Sequence, residues 1–290
     1  MTGKDEFYNR AKQEGYRSRA AYKLQQLDEE CGLLSQGDIA VDLGAAPGGW
    51  LQVAAQRVGA SGKVVGIDLQ SVRDLSADEA GSGDGAAHIE TVRGDMTEAD
   101  TRERVADLVG EGGADVVLSD MAPNMTGEYD LDHARSVHLA RQAFETALTV
   151  LPAGGDLVVK VFDGRDLDDL REAIDAEFEY VRDVRPRASR DSSSELYLVA
   201  KNRITAPVRG GDEAVVEVTD VGAEGDGIAR VDGYTLFVPD TVVGDRVRVR
   251  VDEVKPRFGF AEVIDHGPEG TDDGAAETAD AAAPDPDAGE

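Results

Sequence analysis

The twelve residues IAVDLGAAPGGW, positions 39–50, decide the fold. IAVDLG (39–44) is a short apolar run closed by glycine, as expected of a strand buried on both faces. A helical pattern opens at Gly49 and continues to about Val58. Strand, glycine-rich turn and helix start together place free backbone N–H groups at the carboxyl end of a sheet. Open α/β sheets bind their ligands there. The spacing is not G-x-G-x-x-G, and Pro47 stands inside the turn. A dinucleotide pyrophosphate cradle is therefore disfavoured, and a nicotinamide oxidoreductase with it.

Outward from this unit, strand-like runs alternate with helical ones. KVVGIDL (63–69), IETVRGD (89–95), ADVVLSDMAPN (114–124) and GGDLVVKVF (154–162) read as strands, and FEYVRDVRP and SELYLVAKN as two more. Helices fit from about Glu98, over 131–150 and over about 166–177. That order predicts a mostly parallel sheet with helices on both faces. Segment 74–87, DLSADEAGSGDGAA, reads as a flexible surface loop. Asp68 closes the second strand, twenty positions after Gly48, where an acid accepts hydrogen bonds from ribose hydroxyls. Asp95 closes the third strand and suits an adenine amino group, and Asp120 falls at the end of the fourth.

The chain has 290 residues with 30 basic and 59 acidic side chains, a net charge of −29. Only seven of the bases are lysine. An acid-rich, lysine-poor chain suits the cytoplasm of a halophilic organism, where salt screens self-repulsion. Molar salt also weakens the usual argument that a net acid avoids nucleic acid, so local basic clusters matter more than the total. The one cysteine, Cys31, excludes a disulfide framework and a cysteine-cluster metal site. The four histidines have no metal-ligand spacing, so no metal is expected. No apolar leader or membrane-length run is present.

Three segments follow from composition: 1–204, α/β; 205–267, rich in valine and turns; and 268–290, with eight acids and no base. The last cannot bury a core and is expected to be a disordered acidic tail. The middle one reads as about five short strands punctuated by Gly225, Gly227, Gly233, Gly244 and Gly259.

At the motif level the first segment resembles the FtsJ/RrmJ family. The resemblance rests on YRSRAAYKL (16–24), DLGAAPGGW (42–50), GIDL (66–69), LSDMAPN (118–124), VVKVF (158–162) and SSELYLVA (193–200), in order over about residues 5–202. It implies a class I, Rossmann-like methyltransferase with a seven-stranded sheet whose last strand is antiparallel. It also implies S-adenosylmethionine as cofactor and a ribose 2′-OH of RNA as acceptor. The match is close to the branch acting on a uridine of large-subunit (23S) ribosomal RNA. The family's Lys-Asp-Lys-Glu tetrad carries over onto Lys23, Asp120, Lys160 and Glu195, and its cofactor contacts onto Gly48, Trp50, Asp68, Asp95 and Asp120. Segment 205–267 resembles a TRAM domain, a small OB-like β-barrel that binds RNA. The features behind this are its G-x-G-I-A-R turn, its LFVP strand and its GD-x-V-x-V strand.

The chemistry accounts for the residue types. A 2′-OH is a weak nucleophile that must be aligned and relieved of its proton. Lys160 is the expected proton acceptor and orienter, Asp120 holds it, and Lys23 and Glu195 position the ribose. A lysine is a base only when neutral. Burial and a neighbouring cation favour that form and carboxylates oppose it, so the sequence leaves the balance open.

RNA contact requires local positive charge. Residues 8–23 hold Arg10, Lys12, Arg17, Arg19 and Lys23 against Glu14, interleaved with Tyr8, Tyr16 and Tyr22. RDVRPRASR (182–190) adds four arginines against one aspartate. The expected protein is a monomer acting on ribosomal RNA or the large subunit. The alternatives are a tRNA 2′-O-ribose methyltransferase and a nonenzymatic RNA-binding ribosome assembly factor.

Overall fold

The computed structural model describes residues 3–81, 86–190 and 193–266. The tail expected at 268–290 lies outside them. Among the described residues, one compact unit comprises 3–209 and Val254–Gly259. The other comprises Gly210–Glu253 and 260–266. The division falls five residues beyond the expected 204/205 boundary. Ile204 N–H still donates to Glu177 O (2.8 Å), and Ala206 and Val208 are buried.

The first unit opens with helices α1 (Gly3–Glu14) and α2 (Ala21–Cys31). Then follow β1 (Ile39–Leu43), α3 (Gly49–Val58), β2 (Lys63–Asp68), α4 (Ala77–Ala80), β3 (His88–Arg93), α5 (Ala99–Val109) and β4 (Val116–Ser119). The unit continues with α6 (Tyr129–Val150), β5 (Asp156–Phe162), α7 (Leu167–Asp175), β6 (Phe178–Val184) and β7 (Glu195–Arg203). The seven strands form one sheet in the order β3-β2-β1-β4-β5-β7-β6. β1 to β5 are parallel, and β7 runs antiparallel to both β5 and β6. The order reverses between β1 and β4, which opens a crevice at their carboxyl ends.

Alternation along the strands assigns two core layers. Val41, Leu43, Val65, Val117, Val159 and Val161 pack toward α5, α6 and α7. Ala40, Val64, Val116, Leu118, Val158, Tyr197 and Val199 pack toward α2 and α3. By the same parity Lys160 lies on the α2/α3 side, the side that carries Lys23. Gly66 lets α3 settle onto β2, since a Cβ there would lie 2.8 Å from a Leu51 methyl.

Two expectations shift. The fourth strand stops at Ser119 rather than 124, because the chain turns out of the sheet to wall a cavity. Within 74–87, Ser76 and Glu79 form a capping box that starts the one-turn helix α4. Residues 82–85 of that segment lie outside the described residues.

In the second unit β8 (Glu213–Val221), β9 (Gly227–Val231), β10 (Tyr234–Val238), β11 (Arg246–Val254) and β12 (Phe258–His266) close into a barrel, order β10-β12-β11-β8-β9. Val247, Val249 and Val251 of β11 point inward and alternate with exposed Arg246, Arg248 and Arg250. No described helix is long and apolar enough to cross a membrane.

Candidate active site

A cavity of about 580 Å³ occupies the switch point. Its walls come from the carboxyl ends of four strands: Gly44 and Ala46 after β1, Asp68 to Gln70 after β2, Gly94 to Thr97 after β3, and Asp120 to Asn124 after β4. Helix α6 closes it with Arg135, His138, Leu139 and Gln142. The volume suits a cofactor of nucleoside size.

The carboxylates at this cavity are held rigidly. Asp68 accepts from Ala46 N–H at 3.0 Å and Gln70 N–H at 2.7 Å. Asp95 Oδ1 accepts from the Thr97 N–H (2.9 Å) and hydroxyl (2.7 Å), which hold the carboxyl below its ordinary pKa. Its other oxygen has no partner among the described residues. An ionised carboxylate offers about four acceptor sites, so both groups keep capacity for donors on a ligand. This set of acceptors fits a group bearing ribose hydroxyls and an amino group.

Gly48 and Trp50 sit differently. Trp50 is 3% exposed, and its indole N–H donates to Ala20 O (2.8 Å), while the ring packs 5.8 Å from Tyr197. The indole does not line the cavity and instead fixes the start of α2. What Trp50 offers a ligand is its backbone, in the first turn of α3, where N–H groups lack intrahelical partners. Gly48 adopts φ of +110° at that helix start and lies against the Arg17 side chain.

Asp120 joins the cavity to the tetrad. Its Oδ1 accepts from Lys160 Nζ at 2.8 Å and from the Tyr197 hydroxyl at 2.6 Å, with Lys23 Nζ 3.8 Å away. Lys160 also donates to the Asp120 carbonyl oxygen. Lys23 Nζ pairs with Glu195 Oε1 at 2.6 Å. All four expected residues thus meet in one buried cluster. Burial alone would raise the Asp120 carboxyl; the two ammonium groups and the two hydrogen bonds outweigh it and hold the carboxyl below its usual range. Burial, then the Asp120 charge, push the Tyr197 phenol well up, so it remains a neutral donor. Tyr197 was not singled out from sequence; its signal was its place directly opposite Lys160 in the β5–β7 register.

Asp42 is a second residue the sequence reading does not single out. It is fully buried on β1, and neither oxygen makes a hydrogen bond of ordinary geometry among the described residues. Burial, then the Asp120 and Asp68 charges, raise its pKa well above the usual value.

Arg17, expected at the RNA surface, is consumed inside the fold. Its guanidinium bonds both Glu79 oxygens (2.8 and 3.0 Å) and the carbonyls of Pro47, Arg73 and Asp74. Its side chain is only 6% exposed. Hydrogen bonds from Arg17 and Ser76 bring the Glu79 carboxyl down to about 2. This clamp holds residues 73–79, part of the stretch expected to be flexible. Tyr22 is also buried and Tyr16 half-buried, which leaves Tyr8 as the exposed ring of that cluster. Arg10 pairs with Glu14, Arg182 with Glu30 and Arg185 with Asp163. Lys12, Arg19, Arg187 and Arg190 carry no ion pair among the described residues. Packing of Ala188 on Ala11 and Tyr22 brings the two basic segments together.

Comparison with known proteins agrees with this geometry. Residues 16–203 match the FtsJ-like methyltransferase family and residues 207–264 the TRAM domain. The chain is similar to ribosomal RNA large subunit methyltransferase E of Haloquadratum walsbyi, 62% identical over 265 residues, covering 91% of this chain and 100% of that one. The protein of the same description from Natronomonas pharaonis is 65% identical over 265 residues, with the same coverage. A crystal structure of a ribosomal RNA methyltransferase from Plasmodium falciparum superposes with a TM-score of 0.54 at 26% identity, covering 65% of this chain and 98% of that one. With a family match across its whole sheet and site, this chain belongs to the FtsJ-like methyltransferases and carries a TRAM domain later in its sequence.

Proposed function

We propose that the protein methylates the 2′-hydroxyl of a uridine ribose in large-subunit (23S) ribosomal RNA, with S-adenosylmethionine as donor. The observation that carries this reading is the position of Asp120, which lines the cofactor-sized cavity and also anchors Lys160 and Lys23. The names of the similar archaeal proteins support the ribosomal substrate. When bound, the cofactor supplies an electrophilic methyl group on a sulfonium.

The chain's own residues supply the rest. Asp68 and Asp95 would hold the nucleoside end of the cofactor, and the backbone at Gly48 and Trp50 its other side. Lys160 would orient the 2′-oxygen and, once its own ammonium proton has gone to solvent, take the 2′-OH proton; Asp120 fixes Lys160 and Tyr197 fixes Asp120. Lys23, held by Glu195, would bind the ribose. Residues 1–204 would do the chemistry, and the 205–267 barrel would grip RNA. The protein would act as a monomer in the cytoplasm, a compartment that its acid-rich, lysine-poor composition suits.

Ribose-methylation mapping of total RNA from a deletion strain tests the assignment. Loss of one 2′-O-methyl mark from large-subunit RNA, restored by the gene, is expected. Loss confined to tRNA, or no loss, would contradict it.

A further inference from the structure

A second cavity, of about 330 Å³, lies at the tip of β5 and the start of α6, and nothing in the cofactor or tetrad assignments uses it. The loop between β4 and α6 is a wall shared by both cavities. Asp120 to Asn124 face the first, and Met125, Gly127 and Tyr129 face the second. Resting on the methyltransferase reading, we propose that this second pocket receives the nucleobase of the target nucleotide, stacked on the Tyr129 ring.

Tyr129 is 61% exposed yet fixed. Its hydroxyl donates to Asp163 O at 2.7 Å, and its ring lies parallel to the His133 imidazole, at 10° and 6.4 Å. His133 is itself buried, with Nδ1 against Phe162 O (3.0 Å) and Nε2 accepting from Asp166 N–H (3.2 Å). An exposed ring locked in this way is a preorganised stacking platform, the surface on which proteins hold unstacked RNA bases. Met125, 63% exposed, adds an apolar lip.

Charge favours a base here over a phosphate. The Asp132 carboxylate at the pocket is engaged by Thr126 N–H, its hydroxyl and Gly127 N–H. Arg190 is the pocket's cation, placed for a phosphate beside the base. Distance to the chemistry also fits. Phe162 lines the pocket and pairs across the sheet with Glu195, the partner of Lys23. Lys160 is two residues earlier on the same strand, about 6–7 Å away along it. A ribose seated over Lys160 and Asp120 can deliver its base to this pocket on the side away from Asp68 and Asp95.

The test uses the full chain and large-subunit particles from a deletion strain. Tyr129→Ala and Tyr129→Leu are expected to lower kcat/KM for the particles by about 5- to 150-fold, the scale of one lost base–aromatic stack. Tyr129→Phe should retain most activity, and cofactor Kd by calorimetry should stay within twofold in all three. An alanine variant within twofold of wild type, or a leucine variant equal to it, would overturn the assignment. A wild-type enzyme inactive on these particles would instead sink the methyltransferase reading, and the pocket's role with it.

Discussion

Lys160 and Tyr197 sit opposite each other across β5 and β7 and bond the same atom, Oδ1 of Asp120, at 2.8 and 2.6 Å. One carboxylate oxygen thus fixes the candidate base, while its residue walls the cofactor cavity. Removing the tyrosine hydroxyl leaves a buried carboxylate short of a donor. Tyr197→Phe should therefore lose about 1.5–3 kcal/mol of stability, the range for hydrogen bonds to charged groups. Chemical denaturation measures it; a loss under about 0.5 kcal/mol, the usual scatter of neutral substitutions, would show that the bond is dispensable.

Asp42 sets a pH dependence. Its folded pKa is raised, so between the unfolded value near 3.8 and the higher folded value the native state alone keeps the proton. Stability conferred below that window is lost as pH rises through it, by up to about 1.4 kcal/mol per pH unit. Asp42→Asn should flatten this slope and stabilise the protein at pH 7 relative to wild type. Denaturation at pH 5 and pH 7 in high salt checks it; parallel slopes for the two proteins would contradict the assignment.

Asp68→Ala should weaken S-adenosylmethionine binding through two lost charge-assisted hydrogen bonds, each about 1.5–3 kcal/mol. Because Asp68 also caps Ala46 and Gln70, the thermal midpoint must be followed in parallel. Unchanged affinity by calorimetry would remove Asp68 from the cofactor site.

The strand-and-acid pattern placed Asp68, Asp95 and Asp120 at one crevice because strand ends in a parallel sheet converge whatever the loops do. The tetrad was legible from its motifs. Arg17 was misplaced because its partners, Glu79 and the Arg73 and Asp74 carbonyls, are roughly sixty residues away, and nothing local marks which arginine turns inward. The Ser76–Glu79 box could have been read, but the glycines and acids around it pointed to a loop. Trp50 stands at the glycine-rich turn after β1, yet its ring follows core packing, which depends on the chain at α2 and on β7.

Cutting the chain after Arg209 should raise the RNA KM with kcat much less changed, because the sheet and the tetrad lie before that point. Cutting after residue 267 should change little in high salt. A chain ending at Arg209 that methylates ribosomal particles with wild-type KM would show that the barrel does not grip this substrate.

The proposed chemistry turns on Lys160, held by Asp120, as the group that handles the 2′-OH proton. Single-turnover methyl transfer to large-subunit particles by Lys160→Ala, with cofactor Kd measured alongside, is the deciding measurement. A rate reduced by about 10²–10⁴-fold at nearly unchanged cofactor affinity is expected. A rate within tenfold of wild type would contradict it.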